Sequence, residues 1–73
     1  MDIIRLFGTN VRKYRIMAGL SQEKLAEKSG LHRTYISDVE RSQRSISLDN
    51  IQKISSALNI DTYLLFIDSK EEN

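Results

Sequence analysis

The sequence predicts an all-α fold of five short helices, and three features predict it. Apolar residues recur at three- and four-residue spacing along most of the chain, which gathers them on one face of each helix. Strand-like alternation is absent, and there is no proline to interrupt a helix. Serines and glycines stand where such helices would start and stop. Ile4, Phe7, Val11 and Tyr14 mark the first helix, over residues 3–17, and Gly19 closes it where a positive φ is needed. Ser21 offers its hydroxyl to the free amides of a second helix, which runs to about Lys28 with Leu25 and Ala26 facing inward. Gly30 permits a sharp turn, after which Leu31, Ile36 and Val39 supply the buried side of a third helix. Ser47 caps a fourth, with Leu48, Ile51, Ile54 and Leu58 on one stripe. A short fifth, Asp61 to about Ile67, carries Tyr63, Leu64, Leu65, Phe66 and Ile67. Residues 1–68 then form one domain, and residues 69–73 a polar, frayed tail.

A 73-residue chain has a small core, and chains of this size draw support from a disulfide, a metal or a partner copy. With no Cys and a single His, neither a disulfide nor a metal centre is expected, which leaves oligomerisation. No apolar run reaches the ~18 residues of a membrane span, and Met1-Asp2-Ile3-Ile4-Arg5 lacks the cationic start of a secretory signal. The expected location is the cytoplasm, with no membrane partner. Paired acid–base groups at catalytic spacing, a glycine-rich phosphate loop and a nucleophile for His32 are all missing, so neither catalysis nor a cofactor is expected. The net charge of +1 conceals an asymmetry. Residues 1–44 carry nine Lys/Arg against five Asp/Glu, and residues 45–73 carry two against five. A basic first part and an acidic second part suit a molecule with one side turned to a polyanion.

Residues 20–44, LSQEKLAEKSGLHRTYISDVERSQR, hold most of the functional signal. They read as a helix, a glycine turn and a second helix whose outward face is Arg33, Thr34, Ser37, Asp38 and Arg41. That is a helix-turn-helix, whose second helix enters the major groove of duplex DNA. The Arg33 guanidinium can donate to O6 and N7 of guanine, worth ~1–3 kcal/mol of discrimination. Thr34 offers a methyl to thymine and a hydroxyl to an edge or phosphate, and Ser37 is short enough to let the helix sit deep. Tyr35 either reaches base edges or backbone with its phenol or packs beside the helix. Asp38 is repelled by phosphate yet can accept from cytosine N4; alternatively it orients Arg33 or Arg41 through an ion pair. A second set is suited to the DNA backbone. Gln22 sits at the positive end of the second helix, and Arg41, Gln43 and Arg44 follow the third. His32, near the N-cap of the third helix, either touches phosphate when protonated or serves a local structural role. Each phosphate neutralised adds about 0.9 to the salt slope and carries no sequence information.

Five short helices with this turn resemble the lambda- and 434-repressor-like DNA-binding domains of the Xre family. The resemblance spans residues 4–67 and rests on Val11-Arg12 and Arg15 before Gly19, Ser21-Gln22, Leu25-Ala26, Gly30, and Ile36-Ser37 through Glu40. Arg33 to Arg41, followed by Arg44 and Ser45-Ile46-Ser47-Leu48, is similar to the controller proteins of restriction–modification systems. These are small homodimeric regulators that time endonuclease expression. The resemblance implies a recognition surface on Arg33, Thr34, Tyr35 and Ser37. It implies a structural ion pair between Arg15, ending the first helix, and Glu40, ending the third. It also implies pairs of dimers on adjacent sites, activating or repressing their own promoter, and RNA polymerase stands as a further candidate partner. Two residues depart from the pattern. Asp38 stands where many controllers carry a small residue, which bears on the sequence bound. Ser42 stands where glycine is the more usual helix stop, so either Ser42 is left-handed or the helix ends differently.

The run Tyr63 to Ile67 holds more apolar surface than one helical face can bury. Tyr63, Leu64, Phe66 and Ile67 are therefore expected at a homodimer interface, unless Tyr63 and Leu65 merely close the monomer core. A two-fold partner would set two recognition helices about 34 Å apart, matching an inverted-repeat operator with half-sites one DNA turn apart. Alternatives are a phage Cro- or repressor-like protein, a toxin–antitoxin regulator and, in a different class, a protein-interaction module that reuses the fold without DNA.

Overall fold

Val11, Leu25, Ile36, Ile54 and Leu65 meet, fully buried, at the centre of the chain, and each comes from a different helical element. The computed structural model describes residues 1–68; the tail expected at 69–73 lies outside them. The order is α1 (Ile3–Met17), α2 (Gln22–Ser29), α3 (Arg33–Glu40), α4 (Leu48–Leu58) and a 3₁₀ helix (Thr62–Phe66). Asp2 begins α1 by accepting from the Ile4 and Arg5 amides at 3.1 and 3.3 Å. Ser21 and Ser47 begin α2 and α4 in the same manner, accepting from the Lys24 and Asn50 amides.

All four α-helices end on a left-handed residue: Gly19, Gly30, Ser42 and Asn59. In α3 the Ser42 amide donates to the Val39 carbonyl and the Gln43 amide to the Asp38 carbonyl, a complete Schellman closure. Ser42, at φ 61°, therefore takes the left-handed alternative that the sequence left open, although it has a Cβ and glycine would not be strained there.

Two expectations are corrected. The fifth helix is a five-residue 3₁₀ turn, not an α-helix reaching Ile67. Asn10, buried in α1, donates through Nδ2 to the Leu65 and Ile67 carbonyls at 2.9 Å each. Those carbonyls are thereby spent on α1 instead of a further helical turn, and Ile67 is already extended. Leu48, expected on the buried stripe of α4, is 85% exposed. It continues the stripe geometrically, but as the first residue of α4 it lies beyond the packed core, which Ile54 and Leu58 reach.

The interior is closed by contacts that the apolar pattern alone does not contain. Gly8, inside α1, lies against the backbone of α3: a Cβ there would collide with the Val39 carbonyl. The Phe7 and Phe66 rings meet with centroids 5.2 Å apart, and the Ser55 and Thr62 hydroxyls join α4 to the 3₁₀ helix at 2.8 Å. Asn10→Ala strands two carbonyls and should lower the unfolding free energy by about 2–3 kcal/mol, read as an earlier urea midpoint. Ser42→Gly should raise it by about 1 kcal/mol through relief of the left-handed backbone; a lower midpoint would contradict that origin.

Candidate nucleic-acid interface

The presentation of α3 begins with the turn before it. Gly30, at φ 75°, reverses the chain, and the Leu31 amide returns to the Ala26 carbonyl at 3.0 Å. α3 then buries Ile36 and Val39 completely or nearly so, which commits the opposite side to solvent. Arg33 and Thr34 are exposed there, and Ser37 and Asp38 are half-exposed. The Arg33 guanidinium enters no ion pair among the described residues. His32 occupies the N-cap of α3 in extended conformation, and its imidazole makes no capping bond.

The far end of α3 is fastened by charge. Arg15 Nε donates to Glu40 Oε2 at 2.6 Å and Arg15 Nη2 to Glu40 Oε1 at 3.0 Å. Arg15 Nη1 donates to the Leu20 carbonyl at 2.8 Å, and Gln22 Nε2 donates to Glu40 Oε1 at 3.1 Å. The Glu40 side chain is only 3% exposed, so burial is matched by three donated hydrogen bonds. The hydrogen bond to Glu40 raises the Arg15 pKa above its ordinary value against the opposing effect of burial. Gln22, considered from sequence only as a phosphate donor, thus has one amide hydrogen engaged inside the protein.

A second cluster covers the exit from α3. Asp38 Oδ1 accepts from Arg41 Nη2 at 2.8 Å and Asp38 Oδ2 from Arg44 Nη2 at 3.0 Å. Of the two ion-pair partners weighed for Asp38, Arg41 is bonded and Arg33 is not, while Arg44 was not anticipated. Arg44 first, and Arg41 after it, hold the Asp38 carboxyl below the usual aspartate range. The Arg44 guanidinium also lies 4.6 Å from the Tyr35 ring centroid. Tyr35 packs beside the core, half-buried, and its hydroxyl accepts from Asn50 Nδ2 at 3.0 Å. Gln43 Nε2 donates to the Arg41 carbonyl at 3.1 Å. Sequence reasoning missed Asn50, whose position in the first turn of α4 reads as ordinary helix surface.

The apolar run near the end of the described chain divides. Leu65 is fully buried and Phe66 leans on Phe7, whereas Tyr63 and Ile67 are 63% and 40% exposed. Leu64 is half-buried. Among the described residues no group of three His, Cys, Asp or Glu is placed to hold a metal ion, and no helix is long and apolar enough to cross a membrane.

Residues 11–65 match the helix-turn-helix family model. Control protein C.BamHI of Bacillus amyloliquefaciens is 59% identical over 81% of this chain and 74% of its own length. The crystal structure of the restriction–modification controller protein C.AhdI from Aeromonas hydrophila superposes with a TM-score of 0.84 at 49% identity, covering 86% of this chain and 96% of that one. The controller protein C.Esp1396I, solved as a tetramer in complex with its natural 35 base-pair operator, gives a TM-score of 0.83 at 32% identity over 90% of this chain and 87% of its own. With this turn, this supported outer helix and these relatives, the chain belongs to the Xre-like helix-turn-helix family, among the restriction–modification controller proteins.

Proposed function

We propose that this chain is a sequence-specific DNA-binding transcriptional regulator, a homodimer on an inverted-repeat operator, which controls its own expression and that of a restriction endonuclease. The observation that carries this reading is the likeness to a controller solved as a tetramer on its operator, together with an α3 whose outer face is polar and exposed. On this reading residues 1–68 are one domain for DNA binding and dimerisation, without cofactor or catalysis, working in the cytoplasm on the nucleoid.

The roles divide by reach. Arg33 and Thr34, at the start of α3, are assigned to base edges, Arg33 to guanine through paired donors. Ser37 lies one turn on and allows close approach. Tyr35, on the flank of α3, is assigned to base edges through the rim of its ring. Gln22, His32, Arg41, Gln43 and Arg44 are assigned to phosphates, Gln22 through the amide hydrogen that Glu40 leaves over. Tyr63, Leu64, Phe66 and Ile67 are assigned to the two-fold contact. Phe66 serves both that surface and the monomer core, because Phe7 already covers one of its sides. Two dimers on adjacent sites, and contact with RNA polymerase, complete the scheme.

Selection from random duplexes at ~150 mM salt tests this directly, since weak phosphate attraction is largely screened there. The expected product is an inverted repeat with half-sites about one helical turn apart. No enrichment by folded protein would favour a protein-interaction module instead. On the selected operator, Arg33→Ala should cost ~1–3 kcal/mol and relax preference at one guanine position, read by titration against single-base variants. Glu40→Ala leaves the Arg15 guanidinium without its carboxylate; stability should fall by about 3 kcal/mol, and affinity should fall with it below the melting range. Unchanged stability with unchanged affinity would remove Glu40 from the support of α3.

A further inference from the structure

The charged groups at the exit of α3 are arranged as a competition. Asp38 is the one carboxylate that the structure places on the outer side of α3, and both of its oxygens are taken by arginines. Its side chain is 20% exposed, whereas those of Arg41 and Arg44 are 65% and 44% exposed. An anion arriving from solvent therefore meets the two guanidinium groups before it meets the carboxylate beneath them. A phosphodiester offers those groups what Asp38 offers them now, two oxygens sharing a negative charge.

The backbone makes the arrangement local and fixed. The closure at Ser42 turns the chain back, with the Gln43 amide on the Asp38 carbonyl at 2.8 Å. Arg44 is thereby returned over α3, where the Tyr35 ring supports its guanidinium. Arg33, at the other end of α3, has no such partner among the described residues. Among the described residues the outward arginines of this region are thus of two kinds, one without an ion pair and two already neutralised in part.

We propose that Asp38 is an internal substitute for DNA phosphate: it holds Arg41 and Arg44 in the free chain, and both arginines exchange it for the backbone when DNA binds. This rests on the DNA-binding reading above and replaces a base-reading role for Asp38. Exposed ion pairs are weak, each shifting an equilibrium about two- to fivefold, so the exchange is easy and its cost is spread over two contacts. The carboxylate left behind stays near the phosphates and cancels about one unit of the charge the arginines bring. Asp38 therefore lowers attraction to DNA of every sequence without choosing among sequences.

The test is a double-mutant cycle on the full chain, with fluorescent random-sequence duplex as probe across a series of salt concentrations. Asp38→Asn should bind about tenfold tighter at low salt, and its salt slope should steepen by about 0.9, one further phosphate effectively neutralised. Base preferences in the random selection should not move. In an Arg41→Gln/Arg44→Gln background the gain from Asp38→Asn should shrink to about two- to threefold, the part that comes from removing a charge beside the phosphates, because no ion pair is left to break. Circular dichroism establishes that each protein is folded, and Asp38→Ser serves as a second neutralising variant with a smaller side chain. A gain that persists undiminished without the arginines would overturn the exchange, since simple removal of charge would then account for it. A changed base at one operator position, or weaker binding by Asp38→Asn, would restore base reading and overturn it as well. Binding by the wild-type chain with no response to Asp38→Asn sinks the exchange alone. A wild-type chain that binds no duplex at any salt sinks the DNA-binding reading and the exchange together.

Discussion

Backbone meets backbone where α1 crosses α3, and the precision of the outer face depends on that meeting. A glycine inside a helix costs roughly 1 kcal/mol relative to alanine, so Gly8 is not there for the sake of α1. It is there because the Val39 carbonyl occupies the space a side chain would need. With Gly8 in place, α3 lies so close to α1 that Ile36 and Val39 are sealed. The Arg15–Glu40 pair then fixes the end of the same helix, and Gln22 ties the start of α2 to that pair. Two helices, α1 and α2, thus locate a third, short one through steric exclusion at its side and charge at its end. An eight-residue helix has little stability of its own, and its order comes from this seating.

The two faces of α3 use different physics. Inside, close packing and a satisfied buried charge tolerate little change. Outside, the side chains are held by exposed pairs and by a cation over an aromatic ring, interactions weak enough to rearrange. The outer residues can be exchanged with little effect on folding, provided that Gly8, Glu40 and the apolar stripe remain.

Most of the helices were legible because their signals are local. Ser21, Gly19 and Gly30 announce their ends, and the spacing of Phe7, Val11 and Tyr14 announces a buried face. The pairing of Arg15 with Glu40 is implied by the resemblance alone, and the structure sets the two side chains 2.6 Å apart. What the sequence did not yield lies in long-range contacts. Asn10 is an unremarked polar residue on a helix until the carbonyls of Leu65 and Ile67 arrive, and Gly8 looks like a weak point until Val39 arrives. The last helix is shorter than its composition suggests for the same reason: five apolar residues point to an α-helix, but the carbonyls of Leu65 and Ile67 have a partner 55 to 57 residues away. Leu48 shows the opposite limit, since periodicity gives the face of a helix but not where the core beneath it stops. At the interface, Arg33 and Thr34 stand out from sequence as an exposed pair, whereas the joining of Asp38 to Arg44 required knowing that Ser42 turns the chain back.

The Asn10 bonds have a consequence for the order of folding. α1, α2 and α3 are sequence neighbours, so their mutual contacts close short loops. The bridge from Asn10 to Leu65 and Ile67 closes a loop of nearly the whole chain, and loop-closure entropy delays such contacts until nearer ones have formed. The 3₁₀ turn has too few hydrogen bonds to persist unaided, so the surface bearing Tyr63 and Ile67 takes shape last. A chain able to present that surface has, by then, already assembled everything beneath it.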